Sequence, residues 1–167
     1  MIHHYRPSPN AGRLSSNLAT THPIPGEVKR QDARDAKEHR EPDPELDRYA
    51  SEVVAAAVEV HPVLGPGFLE SVHERALCIE LEQRNLPYRR QVPITVSYKA
   101  QSVGESCLDL WVADRLVIEL KAIEMLAPIH WIQLRSYLKA TGCLLGLLIN
   151  LNVPVLLRGV RRVILTG

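Results

Sequence analysis

Asp109, Glu119 and Lys121 are the residues of this chain whose types and spacing best suit chemistry. They lie in CLDLWVADRLVIELK, from Cys107 to Lys121, which reads as a β-hairpin. Folding it about Asp114 sets Leu110 opposite Ile118 and Val112 opposite Leu116. Leu108, Leu110, Val112, Leu116, Ile118 and Leu120 then share one wholly apolar face. Side chains alternate along a strand, so Asp109, Trp111, Val117, Glu119 and Lys121 fall on the other. This register sets Asp109 against Glu119, with Cβ atoms roughly 5 Å apart. Like charges that close destabilise a sheet. A divalent cation removes the conflict, because hard cations bind carboxylate oxygens at about 2.0–2.6 Å. Lys121 points at the same spot, where it can contact a phosphate or an activated water. The plainer account is a solvated outer face, the commonest antiparallel pattern, and an isolated D…ExK match is weak by itself.

These residues need a scaffold, and 167 residues suffice for one domain with a tail. At 46% hydrophobic content the chain can bury a core. A net charge of +1 gives no global basic field, so a nucleic-acid partner requires a local patch. Arg89, Arg90, Lys99, Arg158, Arg161 and Arg162 are candidate phosphate contacts, each equally readable as a solvated surface charge. Cys78, Cys107 and Cys143 match no zinc, iron–sulfur or disulfide spacing and read as buried thiols in a reducing compartment. The N-terminus has no apolar signal-peptide core, and the apolar run Leu144 to Leu151 is too short to span a bilayer. A cytoplasmic protein without membrane contact is the expectation.

Residues 1–43 are polar, proline-rich and mixed in charge, and are expected to be a disordered tail. The domain, residues 44–167, starts at an Asp43-Pro44 helix start. Leu46, Tyr49, Ala50, Val53, Val54, Ala57 and Val58 recur at helical spacing up to Gly65-Pro66-Gly67. A second helix is predicted from Phe68 to Asn85, with Leu69, Val72, Ala76 and Ile79 on one stripe. Gln91 to Tyr98 reads as a strand, Lys99 to Ser102 as a turn, and the hairpin follows. Pro128 opens a third helix that Gly142 closes. Leu144 to Ile149 suits a strand buried on both faces, and Leu156 to Leu165 reads as a last strand. The expected fold is α/β, helices around a mixed sheet. Glu70, on the second helix in line with His73, Leu77 and Leu81, suits either a third metal ligand or the helix macrodipole. Gln133 and Tyr137 are neighbours on one face of the third helix, flanked by His130 and Trp131.

The order of these pieces resembles the PD-(D/E)XK nuclease superfamily, whose restriction-endonuclease-like core runs αβββαβ with an Asp on the second strand and E-x-K on the third. Asp109 and Glu119-Leu120-Lys121 match those positions. GFLESVHERAL, ELEQRNLPYRRQVPITVSYKA, the hairpin and its continuation to Asn152, and RGVRRVI look like the GxxExxY family within it. His73 stands where that family's motif, Gly67-x-x-Glu70-x-x-Tyr, has a tyrosine. The helix glutamate Glu70 and the Gln133-x-x-x-Tyr137 pair also resemble the RecB-like branch.

The resemblance implies a Mg²⁺- or Mn²⁺-dependent nuclease acting on DNA or RNA. Asp109, Glu119, Glu70 and the Leu120 carbonyl are expected to hold the cation, Lys121 to orient water and stabilise charge, and Gln133 and Tyr137 to position the backbone or Lys121. The alternative is a catalytically silent nucleic-acid-binding or regulatory module that keeps the fold. A homodimer paired through an exposed sheet edge is a further expectation.

Overall fold

Asp43 starts the first helix by accepting a hydrogen bond from the Leu46 amide on its carboxylate at 3.0 Å. The computed structural model describes residues 41–166, so the expectation of a disordered tail falls almost entirely outside the described residues. Helix α1 (Pro44–Leu64) carries Glu45 and Asp47 in its first turn and buries Leu46, Ala50, Val53, Ala56, Ala57 and Val60. It stops at Gly65, whose φ of 68° is open to glycine.

Helix α2 (Glu70–Gln83) is rotated relative to the sequence expectation. It buries His73, Glu74, Leu77, Cys78 and Leu81, whereas Leu69, Val72 and Ile79 are exposed. The apolar stripe misleads because two polar residues, His73 and Glu74, turn inward.

Strand β1 (Tyr88–Tyr98) begins earlier than the alternation suggested, and β2 (Gln101–Val112) likewise. Lys99 and Ala100 join them with φ of 49° and 62°, a tight two-residue reversal. Strand β3 (Leu116–Lys121) follows a turn at Ala113 and Asp114. Its register with β2 is the expected one, Leu110 facing Ile118, Trp111 facing Val117 and Val112 facing Leu116. Helix α3 (Pro128–Thr141) crosses over to β4 (Leu145–Asn150), parallel to β3 and buried throughout. Gly142 ends α3 with φ 73°.

The expected last strand is shorter. Leu156–Gly159 forms one helical turn, α4, and only Val160–Ile164 is strand β5, antiparallel to β4. The reversal from β4 is crowded: a Cβ on Gly159 would lie 2.2 Å from the Asn150 carbonyl oxygen. A helical turn with glycine there fits the space, and an extended strand starting at Leu156 does not make that reversal.

The five strands form one mixed sheet in the order β1-β2-β3-β4-β5. Helices α1 and α2 cover one face, packing on Leu110, Val112, Leu116, Ile118 and Leu120. Helix α3 covers the other through Leu134, Tyr137 and Leu138 on Val117 and Leu148. The core order α2-β1-β2-β3-α3-β4 is the αβββαβ of a restriction-endonuclease-like fold. Cys78 and Cys143 are buried as expected, but Cys107 is exposed, because Ser106 and Leu108 on either side of it turn toward α3. No helix among the described residues is long and apolar enough to cross a membrane.

Candidate active site

The hairpin does not run on evenly past Leu110. Leu110 packs with α1 and α2, yet Leu108 packs with the α3-side cluster of Val92, Ile94 and Tyr137. Residues two apart on a regular strand share a face, so the strand changes parity at Asp109. Opposite it in β1, Gln91 has a φ of 49°, a left-handed kink uncommon for a side chain of that kind. Neither Gln91 nor Asp109 belongs to the paired ladder. Pairing of β2 with β3 ends at Leu110 and Ile118, while β3 stays paired with β4 up to Lys121 and Asn150. The sheet therefore opens into a fork, with Asp109 on one wall and Glu119 and Lys121 on the other.

Across the fork the Asp109 carboxylate accepts a hydrogen bond from the Leu120 amide at 2.7 Å. That contact replaces the direct Asp109–Glu119 facing expected from an unbroken ladder. Glu119 is only 3% exposed. Its Oε1 accepts from the Lys121 ammonium, and its Oε2 is buried with no hydrogen-bond partner among the described residues. Burial first, then the Asp109 charge, pushes the Glu119 carboxyl up to about 7. Burial also raises Asp109, against the pull of the Leu120 amide. Glu70, first residue of α2, is raised by burial and by Asp109 against the opposing pull of Lys121 and the Ala122 amide. Burial acts to lower Lys121, but the hydrogen bond it donates to Glu119 and the charges of Glu119, Glu70 and Asp109 outweigh it and raise it. Three carboxylates thus share one field with a single ammonium.

A family model for the PD-(D/E)XK nuclease superfamily matches residues 47–163, more than two thirds of the chain. The chain belongs to that superfamily. No curated protein and no solved structure gives a match.

In this PD-(D/E)XK chain the fork brings Asp109, Glu119, Lys121 and Glu70 into one electrostatic cluster. Among the described residues no three His, Cys, Asp or Glu side chains stand ready-arranged around a metal position. The donor set nevertheless fits a hard cation: all oxygen, excess negative charge, and one buried carboxylate oxygen left without a partner. Gln133 and Tyr137 make no hydrogen bond to these carboxylates among the described residues. Gln133 Nε2 donates to Tyr137 Oη at 2.6 Å, and Ser106 Oγ donates to the same oxygen at 3.0 Å. The pair ties α3 to β2 beside the fork. His130 accepts from the Ala127 amide at 2.9 Å and so caps α3.

Glu74 and Gln91 escaped the sequence reading. Glu74, buried on α2, accepts from Arg90 and from Gln91 Nε2, the latter at 2.5 Å. The Gln91 Oε1 accepts from the Cys107 thiol at 3.4 Å. Their only trace in the sequence was a glutamate on the helix face that also holds Leu77 and Leu81. Of the candidate phosphate contacts, Arg90 is held by Glu74, Arg89 by Asp114 at 2.5 Å, and Arg162 by Asp47. Lys99 lies over the Tyr98 ring at 5.4 Å. Arg158 and Arg161 form no ion pair among the described residues.

Proposed function

We propose that the fork is the active site of a Mg²⁺- or Mn²⁺-dependent nuclease that hydrolyses phosphodiester bonds in DNA or RNA. The observation that carries this reading is the buried, unpartnered Oε2 of Glu119 beside Asp109 and Lys121, in a PD-(D/E)XK chain. Asp109, Glu119, Glu70 and the Leu120 carbonyl are the ligand set. When bound, the cation supplies Lewis-acid polarisation of the phosphate and a lowered pKa for water. The Lys121 ammonium is held against Glu119. Released from Glu119, it donates to the oxygens on which charge develops. The Leu120 amide holds Asp109 in its orientation, and Gln133 and Tyr137 fix the α3 wall beside the substrate backbone.

Glu70 following Gly67, and the Gln133–Tyr137 hydrogen bond, support the finer assignment to the GxxExxY type and the RecB-like branch. His73, in the tyrosine position, is buried beneath Phe68 with ring centroids 6.4 Å apart. Its ring is fully buried on α2.

The test is cleavage of labelled single- and double-stranded DNA and RNA by the purified chain with Mg²⁺, Mn²⁺ or EDTA. Cleavage that needs the ion and falls about 100-fold or more in Lys121→Ala is the expected result. Absence of cleavage on every substrate, with no ion raising the melting temperature, would leave a silent binding module. Light scattering tests pairing of two copies through an open sheet edge.

A further inference from the structure

The net charge of +1 hides a segregation along the chain. From Met125 to Gly167 there is no aspartate or glutamate, yet this stretch carries Arg135, Lys139, Arg158, Arg161 and Arg162. The fold gathers Arg135, Arg161 and Arg162 with Trp131 around an open groove of about 400 Å³ between α3 and β5. Arg162 is engaged by Asp47. Arg135 and Arg161 make no ion pair among the described residues. Arg161 uses Nη1 on the carbonyls of Arg158 and Val160, at 2.9 and 2.8 Å, which leaves the rest of its guanidinium facing outward. Trp131 is 36% exposed.

The groove stands in register with the fork. Arg161 pairs with Leu148, and Leu148 pairs with Glu119, so the three form one row across the sheet and share a face. At about 4.8 Å between strands, the backbones of Arg161 and Glu119 are about 10 Å apart. At 3.6 residues per turn, Trp131 and Arg135 occupy one flank of α3 and Gln133 and Tyr137 the opposite flank. The fork thus lies on one side of the helix and the groove on the other.

We infer that this groove seats the unpaired nucleotides flanking the cleaved phosphate of a single-stranded nucleic acid, one base stacked on Trp131 and phosphates on Arg135 and Arg161. In a duplex both faces of each base are covered by neighbours. An indole gains a base face only when the strand is splayed. The groove is the size of a small-ligand pocket, suited to single nucleotides and not to a duplex. The inference rests on reading the fork as the cleaving site, and its test is binding, which needs no cleavage.

The experiment uses the full chain in EDTA with fluorescein-labelled single strands of DNA and RNA and the matching duplexes, followed by anisotropy across a salt series. Single strands are expected to bind roughly tenfold or more tighter than duplexes, with the DNA and RNA arms showing which sugar is taken. Trp131→Ala, and Arg135→Ala with Arg161→Ala, each weaken single-strand binding by roughly tenfold, with unchanged melting temperatures. The double variant also lowers the salt slope by about 1 to 2. In a Trp111→Phe background Trp131 is the sole indole, and single strands quench its emission. Equal affinity for duplex and single strand, or single-strand binding indifferent to Trp131→Ala, overturns the inference. Cleavage without quenching removes the groove and leaves the fork. Quenching without cleavage upholds the groove and removes the assignment of the fork.

Discussion

Asp109 is bonded through its side chain to the backbone of Leu120, at 2.7 Å, where an unbroken ladder would place backbone against backbone. This one carboxylate both bridges the fork and acts through its charge on Glu119. Its two roles separate by substitution. Asp109→Asn keeps an acceptor for Leu120 and removes a buried charge, so the metal-free fold should be as stable as wild type or more so. Asp109→Ala loses the acceptor and should cost about 1 kcal/mol. Both should abolish cleavage, and both should shrink the rise in melting temperature that Mg²⁺ or Mn²⁺ gives wild type, because ligands of the folded state stabilise it. Equal metal-induced shifts in all three proteins would place the cation elsewhere.

Glu119 makes the metal-free fold sensitive to alkali. Its carboxyl is raised from 4.5 to about 7, so the folded state holds the proton more tightly than the unfolded chain. The corresponding stability is complete below pH ~4.5 and is lost as pH rises through ~7, a change of roughly 3 kcal/mol at about 1.4 kcal/mol per pKa unit. Glu119→Gln should match wild type near pH 4.5 and exceed it at pH 8. Urea unfolding in EDTA at the two pH values measures the difference, and a gap that does not widen with pH rules the account out.

His73 acts in the opposite sense. It is fully buried, and neither ring nitrogen has a hydrogen-bond partner among the described residues. Burial, with a smaller push from His61, lowers its pKa from 6.5. Its contribution is present above pH ~6.5 and is lost as pH falls below that value. His73→Phe removes two unsatisfied buried atoms and should stabilise by about 1–2 kcal/mol at pH 7. The advantage should grow at pH 5. Thermal melts at both pH values check it; a smaller advantage in acid contradicts a neutral, buried imidazole.

Two glycines should differ sharply. A Cβ on Gly159 meets the Asn150 carbonyl oxygen at 2.2 Å, a backbone atom. A Cβ on Gly146 meets the Leu134 side chain at 2.8 Å, which can turn aside. Gly159→Ala should cost about 3 kcal/mol and Gly146→Ala about 1 kcal/mol. Gly159→Ala should also impair cleavage, since Asn150 pairs with Lys121 and its Oδ1 accepts from the Ile123 amide at 3.2 Å. Denaturant melts and cleavage rates for the two variants decide this.

The hairpin register was legible because Leu110, Val112, Leu116 and Ile118 alternate cleanly, and a one-residue slip would turn them to solvent. The buried β4 and the capped ends of α1 and α3 were legible for similar local reasons. The parity change at Asp109 was not, since it depends on a left-handed backbone at Gln91, a residue type that does not announce one. The face of α2 was misread because His73 and Glu74 are buried for tertiary reasons: Glu74 by Arg90 and Gln91, His73 beneath Phe68. Alternation cannot report an interaction whose partners lie on another element.

The short ladder between β2 and β3 gives the site two mechanical halves. Glu119 and Lys121 sit on β3, clamped by β4 within the buried core. Asp109 rides on the β1–β2 arm, which pairs along its own length but meets β3 only from Leu110 to Val112. Local opening follows such boundaries, with weakly attached units exchanging their amides before the body does. Detachment of the arm removes Asp109 alone and leaves the E-x-K half intact. Occupancy of the fork by a cation would staple the two halves, so hydrogen-exchange protection of the arm becomes a measure of whether the site is assembled.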